Sequence, residues 1–257
     1  MNIIEFDTLD STNRQCGRMD LRTVAEFTTV WAHRQTDGIG QRGNHWVSEG
    51  DMNLTFSSIL HPTFLLPARQ YELTKAMALG VSDWLMDVGN GQHPVVKIKW
   101  PNDIYADGHK ICGMLIENQI SERYETAVCG IGVNINQTEF GDGAPNATSL
   151  KAITGRTYEL RDLLESLIIS LQKRYEELKV ASGQWSVVSS DQLSATSLDR
   201  DYLARLMNLG ETHRYIYNGQ SIQATITGVS QWGHLQLTTL DGDHLQCAMK
   251  EITFDLT

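Results

Sequence analysis

The chain has 257 residues, 41% of them hydrophobic and 20% charged, with a formal net charge of −10. That is the composition of a soluble globular protein, long enough for one large domain and a small one. The acidic balance does not suit broad contact with a nucleic-acid backbone, and no run of 18 apolar residues predicts a membrane span.

The N-terminus reads straight into a strand, NIIEFD, with neither a basic nor an apolar leader stretch. A cytoplasmic protein is expected, with Cys16, Cys112, Cys129 and Cys247 as free, partly buried thiols. Asp10, Ser11 or Thr12 is placed to cap a short helix. Thr28 to Arg34 alternates and is rich in β-formers, predicting a strand. A long polar, glycine-rich loop from Gln35 to Asp51 follows, then a strand in NLTFSSIL that Pro62 ends. Pro67 opens a helix to about Val88, with Leu73, Met77, Val81, Trp84 and Leu85 at helical spacing.

The second half begins with a strand in VVKIKW, stopped by Pro101. A hairpin comes next, with Asp107-Gly108 at its turn because that pair tolerates positive φ. ETAVCGIGVNIN predicts a further strand, ELRDLLESLIISLQKRYEELK an amphipathic helix, and Arg200 to Met207 a shorter one. After Gly210 four short strands separated by polar turns predict a small β-barrel-like domain. The expected division is therefore residues 1–208 and 209–257.

GIGQRG, residues 38–43, spells the dinucleotide-binding fingerprint. That fingerprint needs a helix after the glycines and an acid about 20 residues on. Here NHWVSEGDMNLTF has no helical periodicity, and SSILHPTFLL offers no carboxylate. Yet long loops without structure of their own are usually functional, and this one carries Gln35, Gln41, Arg42, Asn44, His45 and Trp46. Glycines let a backbone approach a ligand, arginine forks phosphate, and tryptophan offers a flat face to a base. A loop closing over a nucleotide is the expectation.

KIKWPNDIY sets Lys97, Lys99, Trp100, Asn102 and Asp103 at a strand end, where Asn and Asp oxygens suit a magnesium-bound phosphate. Lys110 enters the next strand, its ammonium a candidate for carboxylate and phosphate oxygens. Asn134 and Asn136 end a strand, either facing a base or ribose or capping the strand. The eight His residues show no ligand-spaced pair, so no protein-built zinc site is predicted. G-x-S-x-G and the P-loop motif are both missing, which argues against serine nucleophiles and P-loop hydrolysis.

DSTN (10–13), QTDGIGQRGNHW (35–46), KWPND (99–103), KICGMLIE (110–117) and GIGVNIN (130–136) occur in one order. That set resembles the biotin protein ligases over nearly the whole chain, including its KEITF ending, and looks like the monofunctional type without an N-terminal DNA-binding module. The resemblance implies an α+β fold: a mixed β-sheet backed by helices, as in class II aminoacyl-tRNA synthetases, with a small SH3-like β-barrel C-terminal domain. It implies ATP-dependent attachment of biotin to a lysine of a biotin carboxyl carrier protein through biotinyl-5′-AMP, with Mg²⁺ entering on the ATP phosphates.

Carried over by position, the biotin side comprises Ser11, Thr12, Asn13, Gln35, Gly38, Ile39, Gly40, Gln41, Lys110 and Gly113. The ATP side comprises Gly40, Gln41, Arg42, Gly43, Asn44, Trp46, Lys99, Asn102, Lys110 and Asn134. Lys110, Arg42 and Asn102 are the implied catalytic set, with Asn102 on the metal side and Asp103 a candidate for orienting the incoming lysine. The loop departs from the family's G-R-G-R-x-G-R-x-W pattern: Ile39, Gln41 and Asn44 stand at the arginine positions, and only Arg42 is basic. Arg42 is expected to stand in for the arginine missing at position 41. Lipoate or octanoate transfer on the same fold, and a biotin sensor without ligase activity, are the competing readings. No nucleic acid or membrane is expected as a partner, and an exposed sheet edge suits either a homodimer or the carrier.

Overall fold

A computed structural model describes residues 1–89, 94–141, 143–185 and 196–255, without the side chains of Arg42, Gln184 and Trp185. Seven strands form one mixed sheet: β1 (Ile3–Leu9), β2 (Thr29–Gln35), β3 (Leu54–Leu60), β4 (Val96–Lys99), β5 (Asp103–Ala106), β6 (His109–Ile120) and β7 (Tyr124–Val133). Their order is β1-β2-β3-β7-β6-β5-β4. Only β1 and β2 run parallel, because helix α1 (Thr12–Gly17) crosses between them; the other neighbours are antiparallel. Asp107 and Gly108 both take positive φ, 49° and 81°, and so close the expected tight hairpin between β5 and β6.

One face of the sheet is covered by helices α2 (Gln70–Val88) and α4 (Leu160–Trp185), which pack on each other. Gly80 makes that contact close, since a Cβ there would come within 3.0 Å of Leu171 Cα. Apolar side chains of this face, among them Phe56, Met77, Leu85, Cys129 and Ile131, are buried in the main core. The opposite face carries a smaller cluster, Cys16, Leu21, Val30, Ile59 and Val128, beneath α1. Helix α1 is only six residues long. The rest of that face is left for a site.

Two further helices were not fully legible. Residues Leu150–Thr154 form a short α3, and α5 spans Ser197–Arg205 rather than starting near Arg200. Thr196 and Asp199 form a reciprocal capping box, which sets the earlier start. Arg174 of α4 joins Asp83 of α2 to Asp201 of α5.

The C-terminal strands number five, a correction to the expected four. They are β8 (Thr212–Tyr217), β9 (Gln220–Val229), β10 (Leu235–Thr239), β11 (His244–Cys247) and β12 (Ile252–Phe254). Their antiparallel sheet has the order β11-β10-β9-β8-β12. The stretch read as one final strand is broken by a turn in which Glu251 bonds back twice to Ala248, through its backbone N–H at 3.0 Å and its carboxylate at 2.8 Å. β12 is thereby turned onto β8. This sheet docks on the first through the Trp100 indole, whose Nε1 donates to the Gly233 carbonyl at 2.9 Å. Among the described residues no helix is long and apolar enough to cross a membrane.

Candidate active site

Strand β7 places Gly130 and Gly132 two residues apart, hence on one face, and Gly113 of β6 lies directly opposite Gly132. These three glycines form a floor without side chains on the face that α1 leaves open. The floor is used: a Cβ on Gly132 would collide with the indole of Trp46, one on Gly113 would lie 3.1 Å from the same ring, and one on Gly130 would collide with the Asn13 amide. Only glycine permits such close approach.

The glycine-rich segment read as a long loop is a folded flap. Ile39 and His45 form an isolated β-bridge, Gln41–Gly43 make a 3-10 turn, and Trp46 N donates to Gly38 O at 3.0 Å. Its glycines serve this turn. Gly38 has no room for a Cβ beside the Trp46 carbonyl, a Cβ on Gly40 would lie 3.0 Å from Asn44 O, and Gly43 takes φ +80°. Trp46 is thereby laid on the floor, with its Nε1 buried and without a hydrogen-bond partner.

A cavity lies between flap, floor and the second sheet. One end is polar and uncharged. Gln35 Oε1 accepts from Thr12 N at 2.8 Å and lies 3.2 Å from Thr12 Oγ1. Ser57 Oγ lies 2.7 Å from Thr12 Oγ1 and 2.6 Å from Asn13 Oδ1. Buried Ser11 completes this end. The other end is cationic. Lys110 Nζ pairs with Asp103 Oδ1 at 2.8 Å and sits 6.0 Å over the Trp46 ring. Lys99 Nζ lies 5.7 Å from the Tyr105 ring and 5.3 Å from that of Phe254. Aromatic faces of this kind attract an ammonium while leaving it charged.

Most of the residues singled out in the sequence meet here. Ser11, Thr12, Asn13, Gln35, Ile39, Gly40, Gln41, Asn44, Trp46, Lys99, Asn102, Lys110 and Gly113 all line the cavity. Gly38 and Gly43 do not, because they are spent on the flap's own turn. Asn134, expected toward the nucleotide, is also off the wall: its Nδ2 donates to Thr148 O at 2.9 Å, tying the end of β7 to the next segment. The side chain of Arg42 lies outside the described residues. Asn102 is buried and donates its Nδ2 to Met114 O, which leaves its amide oxygen as the group available to a cation.

Sequence reasoning missed the wall supplied by Ile252, Thr253 and Phe254 of β12. The KEITF ending was the only signal. Gln41 reaches the same unit, with Nε2 4.0 Å from Met249 Sδ. The four cysteines offer no nucleophile, since burial pushes Cys16 and Cys129 up to about 12 and Cys247 to about 11, and raises Cys112 further. Among the described residues no cluster of His, Cys, Asp and Glu could hold a metal ion.

Residues 5–134 match the biotin/lipoate A/B protein ligase family. The bifunctional ligase/repressor BirA of Bacillus subtilis (strain 168) is 31% identical over 180 residues, 68% of this chain and 54% of that one. The chain thus spans about half the length of the BirA proteins it matches first. The biotin--[acetyl-CoA-carboxylase] ligase of Paracoccus denitrificans is 30% identical over 205 residues, 79% of this chain and 80% of the other. In structure the chain resembles the biotin protein ligase of Aquifex aeolicus solved with biotin and ATP, with a TM-score of 0.78, 25% identity, and coverage of 99% of this chain and 98% of that one.

Proposed function

The chain belongs to the biotin/lipoate A/B protein ligase family, and on that premise we propose that it joins biotin to a lysine of a biotin carboxyl carrier protein at the expense of ATP. The observation that carries this reading is the polarity of the cavity. Uncharged hydrogen-bonding groups (Ser11, Thr12, Asn13, Gln35) stand at one end, two lysines (Lys99, Lys110) at the other, and a flat floor with Trp46 between them. A compact urea ring, an aliphatic chain and a carboxylate meeting a nucleotide phosphate have that same order of chemistry.

Two half-reactions follow. An oxygen of the biotin carboxylate attacks the α-phosphorus of ATP and pyrophosphate leaves, giving biotinyl-5′-AMP. The neutral amine of a carrier lysine then attacks the acyl carbon, and AMP leaves. The first step brings two anions together, and their repulsion is large away from water. Lys110 is the group suited to offset it at both carboxylate and phosphate, with Lys99 and Arg42 supplying further charge. Mg²⁺, carried in on the ATP phosphates, would neutralise charge there, and the Asn102 amide oxygen is the side-chain group for its side of the site. Asp103 holds the Lys110 ammonium at 2.8 Å and fixes its direction.

We divide the chain at residues 208/209 into a ligase domain and an SH3-like domain that walls the cavity. β5 pairs with β6 only as far as Gly113, so among the described residues the Met114–Ile120 edge of β6 has no strand neighbour on that side. That edge is our candidate for the carrier or for a second copy of the chain. Free thiols and the use of ATP suit a cytoplasmic setting. The test is to incubate the protein with Mg-ATP, a carrier domain and either biotin or lipoate, and to read the carrier's mass. Biotinyl-lysine with biotin alone is expected; transfer of lipoate in its place, or biotin binding without pyrophosphate release, overturns the reading.

A further inference from the structure

Among the described residues Trp232 is the only exposed Phe, Tyr or Trp, 55% exposed at the turn between β9 and β10. The backbone of that turn is braced. Ser230 N donates to His234 O at 2.9 Å, Ser230 O accepts from Gly233 N at 2.9 Å, and Ser230 Oγ accepts from Trp232 N and His234 N at 3.3 and 3.1 Å. Gly233 takes φ +83° and packs so tightly that a Cβ there would collide with the Tyr71 ring. The indole itself enters no hydrogen bond, ring pair or cation–π contact among the described residues. A large apolar group presented on an ordered backbone binds a partner at a lower entropic cost than one on a mobile loop. Tryptophan is also among the residues in which interface binding energy concentrates.

The turn abuts the cavity wall. Gly233, next in the chain to Trp232, accepts from Trp100 Nε1, and Trp100, Pro101 and Asn102 line the cavity. Tyr71, packed on Gly233, donates its hydroxyl to Pro101 O at 3.2 Å. Its neighbour Gln70 accepts from Asn118 Nδ2 at 3.0 Å. Asn118 belongs to the stretch of β6 that has no strand beside it, and that stretch begins with Met114 and Leu115, which also line the cavity. Contacts therefore run without a break from the Trp232 turn, past the cavity wall, to the free edge of β6. We propose that Trp232 is an anchor for the carrier domain, through which the C-terminal sheet helps to select the macromolecular substrate. The carrier is the occupant because the second half-reaction requires its lysine to enter this cavity, whereas a second copy of the chain has no need to reach the cavity wall. The proposal rests on the ligase reading for the identity of the partner.

Trp232→Ala removes the indole from an exposed turn and leaves the core intact. Leu240→Ala is the control, since Leu240 is 68% exposed on the same sheet but at the opposite end of β10. In biotin transfer to a carrier domain, Trp232→Ala is expected to raise KM for the carrier about tenfold or more, the effect of losing an interface anchor. Trp232→Phe is expected to recover much of that loss, and Leu240→Ala to match wild type. Biotin-dependent ATP–pyrophosphate exchange, which needs no carrier, should stay at the wild-type level in all three variants. A wild-type KM for the carrier in Trp232→Ala, or an equal rise in Leu240→Ala, overturns the proposal. So does a loss of exchange as large as the loss of transfer, which would make the role of Trp232 structural. If sedimentation shows a wild-type dimer that Trp232→Ala dissociates while KM for the carrier is unchanged, the surface belongs to a second copy and the proposal falls. Wild-type protein without biotin-dependent exchange defeats the ligase reading instead. Calorimetric titration with the carrier domain then still decides the anchor: weaker binding by Trp232→Ala supports it, and equal binding overturns it.

Discussion

Gly132 of β7 lies so close beneath the indole of Trp46 that a single methyl group in place of its α-hydrogen would collide with the ring. The three atoms nearest to such a methyl all belong to Trp46, so the cost of adding one is a cost of displacing the flap. Overpacking a tight contact typically costs ~1–3 kcal/mol. Gly132→Ala is expected to destabilise the protein in that range, and to do so by no more than a few tenths in a Trp46→Ala background. Urea unfolding of the two single variants and the double variant measures the coupling. Additive effects would mean that the indole does not rest on this glycine.

Lys110 is argued to offset the meeting of two anions, so its loss should fall on the first half-reaction. One well-placed charge stabiliser is worth ~3–4 kcal/mol, or about 10²–10³ in rate. Single-turnover formation of biotinyl-AMP by Lys110→Ala is expected to slow by that factor. Stability should change little, because the Lys110–Asp103 pair is partly exposed and such pairs contribute about 1 kcal/mol or less. Wild-type adenylation would remove Lys110 from the mechanism.

Arg42 is the only basic residue in the stretch where the family pattern has three arginines. Its backbone belongs to the 3-10 turn Gln41–Gly43. If it stands in for the arginine missing at position 41, Arg42→Ala should cut biotin-dependent pyrophosphate release by about 10² or more, while Gln41→Ala has the smaller effect. Near-normal release by Arg42→Ala would leave the phosphate to the lysines alone.

The sheet was legible because its strands announce themselves by β-branched runs and turn residues, as in ETAVCGIGVNIN and the Asp107-Gly108 pair. The polar end of the cavity was legible too, since Ser11, Thr12 and Asn13 sit next to one another in the chain. What was hidden depends on contacts remote in sequence. Phe254 reaches the cavity only because the turn at Ala248–Glu251 redirects β12. Asn134 reads as a ligand residue by position, and the structure adds a bond from its Nδ2 to Thr148 O that no local pattern announces. The glycines of the flap look like a ligand cradle, and two of them answer a local need for close packing and positive φ.

Lys75 offers a test of the helical layer behind the sheet. It is 4% exposed, with Nζ 3.0 Å from Glu72 Oε1 and 2.6 Å from Asp199 Oδ1. Burial raises the Glu72 carboxyl, with Lys75 pulling against it. Lys75→Met removes the ammonium and leaves buried Glu72 facing the partly exposed Asp199, with the Arg69 guanidinium 3.9 Å from Glu72 Oε1, and breaking a buried pair from one side costs ~3–5 kcal/mol. Adding Glu72→Gln should recover part of that loss. Urea midpoints of the single and double variants decide it; a single variant within 1 kcal/mol of wild type would show that the layer does not depend on this ion pair.

His33 ties the far end of the flap segment to the sheet. Its Nδ1 lies 2.7 Å from Asp51 Oδ1 and its Nε2 2.8 Å from Glu5 Oε1, while Arg161 Nη1 donates to the other oxygen of Glu5 at 2.6 Å. Burial disfavours the charged ring, but the hydrogen bonds to Glu5 and Asp51 outweigh it, and the folded His33 pKa rises above the ordinary 6.5. A group raised on folding contributes stability that is fully present below its unfolded pKa and is lost as pH climbs through the folded one. The bridge should therefore stabilise the protein below the ordinary 6.5 and lose that contribution as the pH climbs through the raised folded value. The carboxylates are solvent-accessible, Asp51 79% and Glu5 40%, so the contribution is small, about 1 kcal/mol or less. His33→Gln should accordingly lose stability against wild type at the acid end and match it at the alkaline end. A difference that is the same at both pH values would mean that His33 holds the flap by packing on Trp31, whose ring centroid is 4.4 Å away, and not by charge.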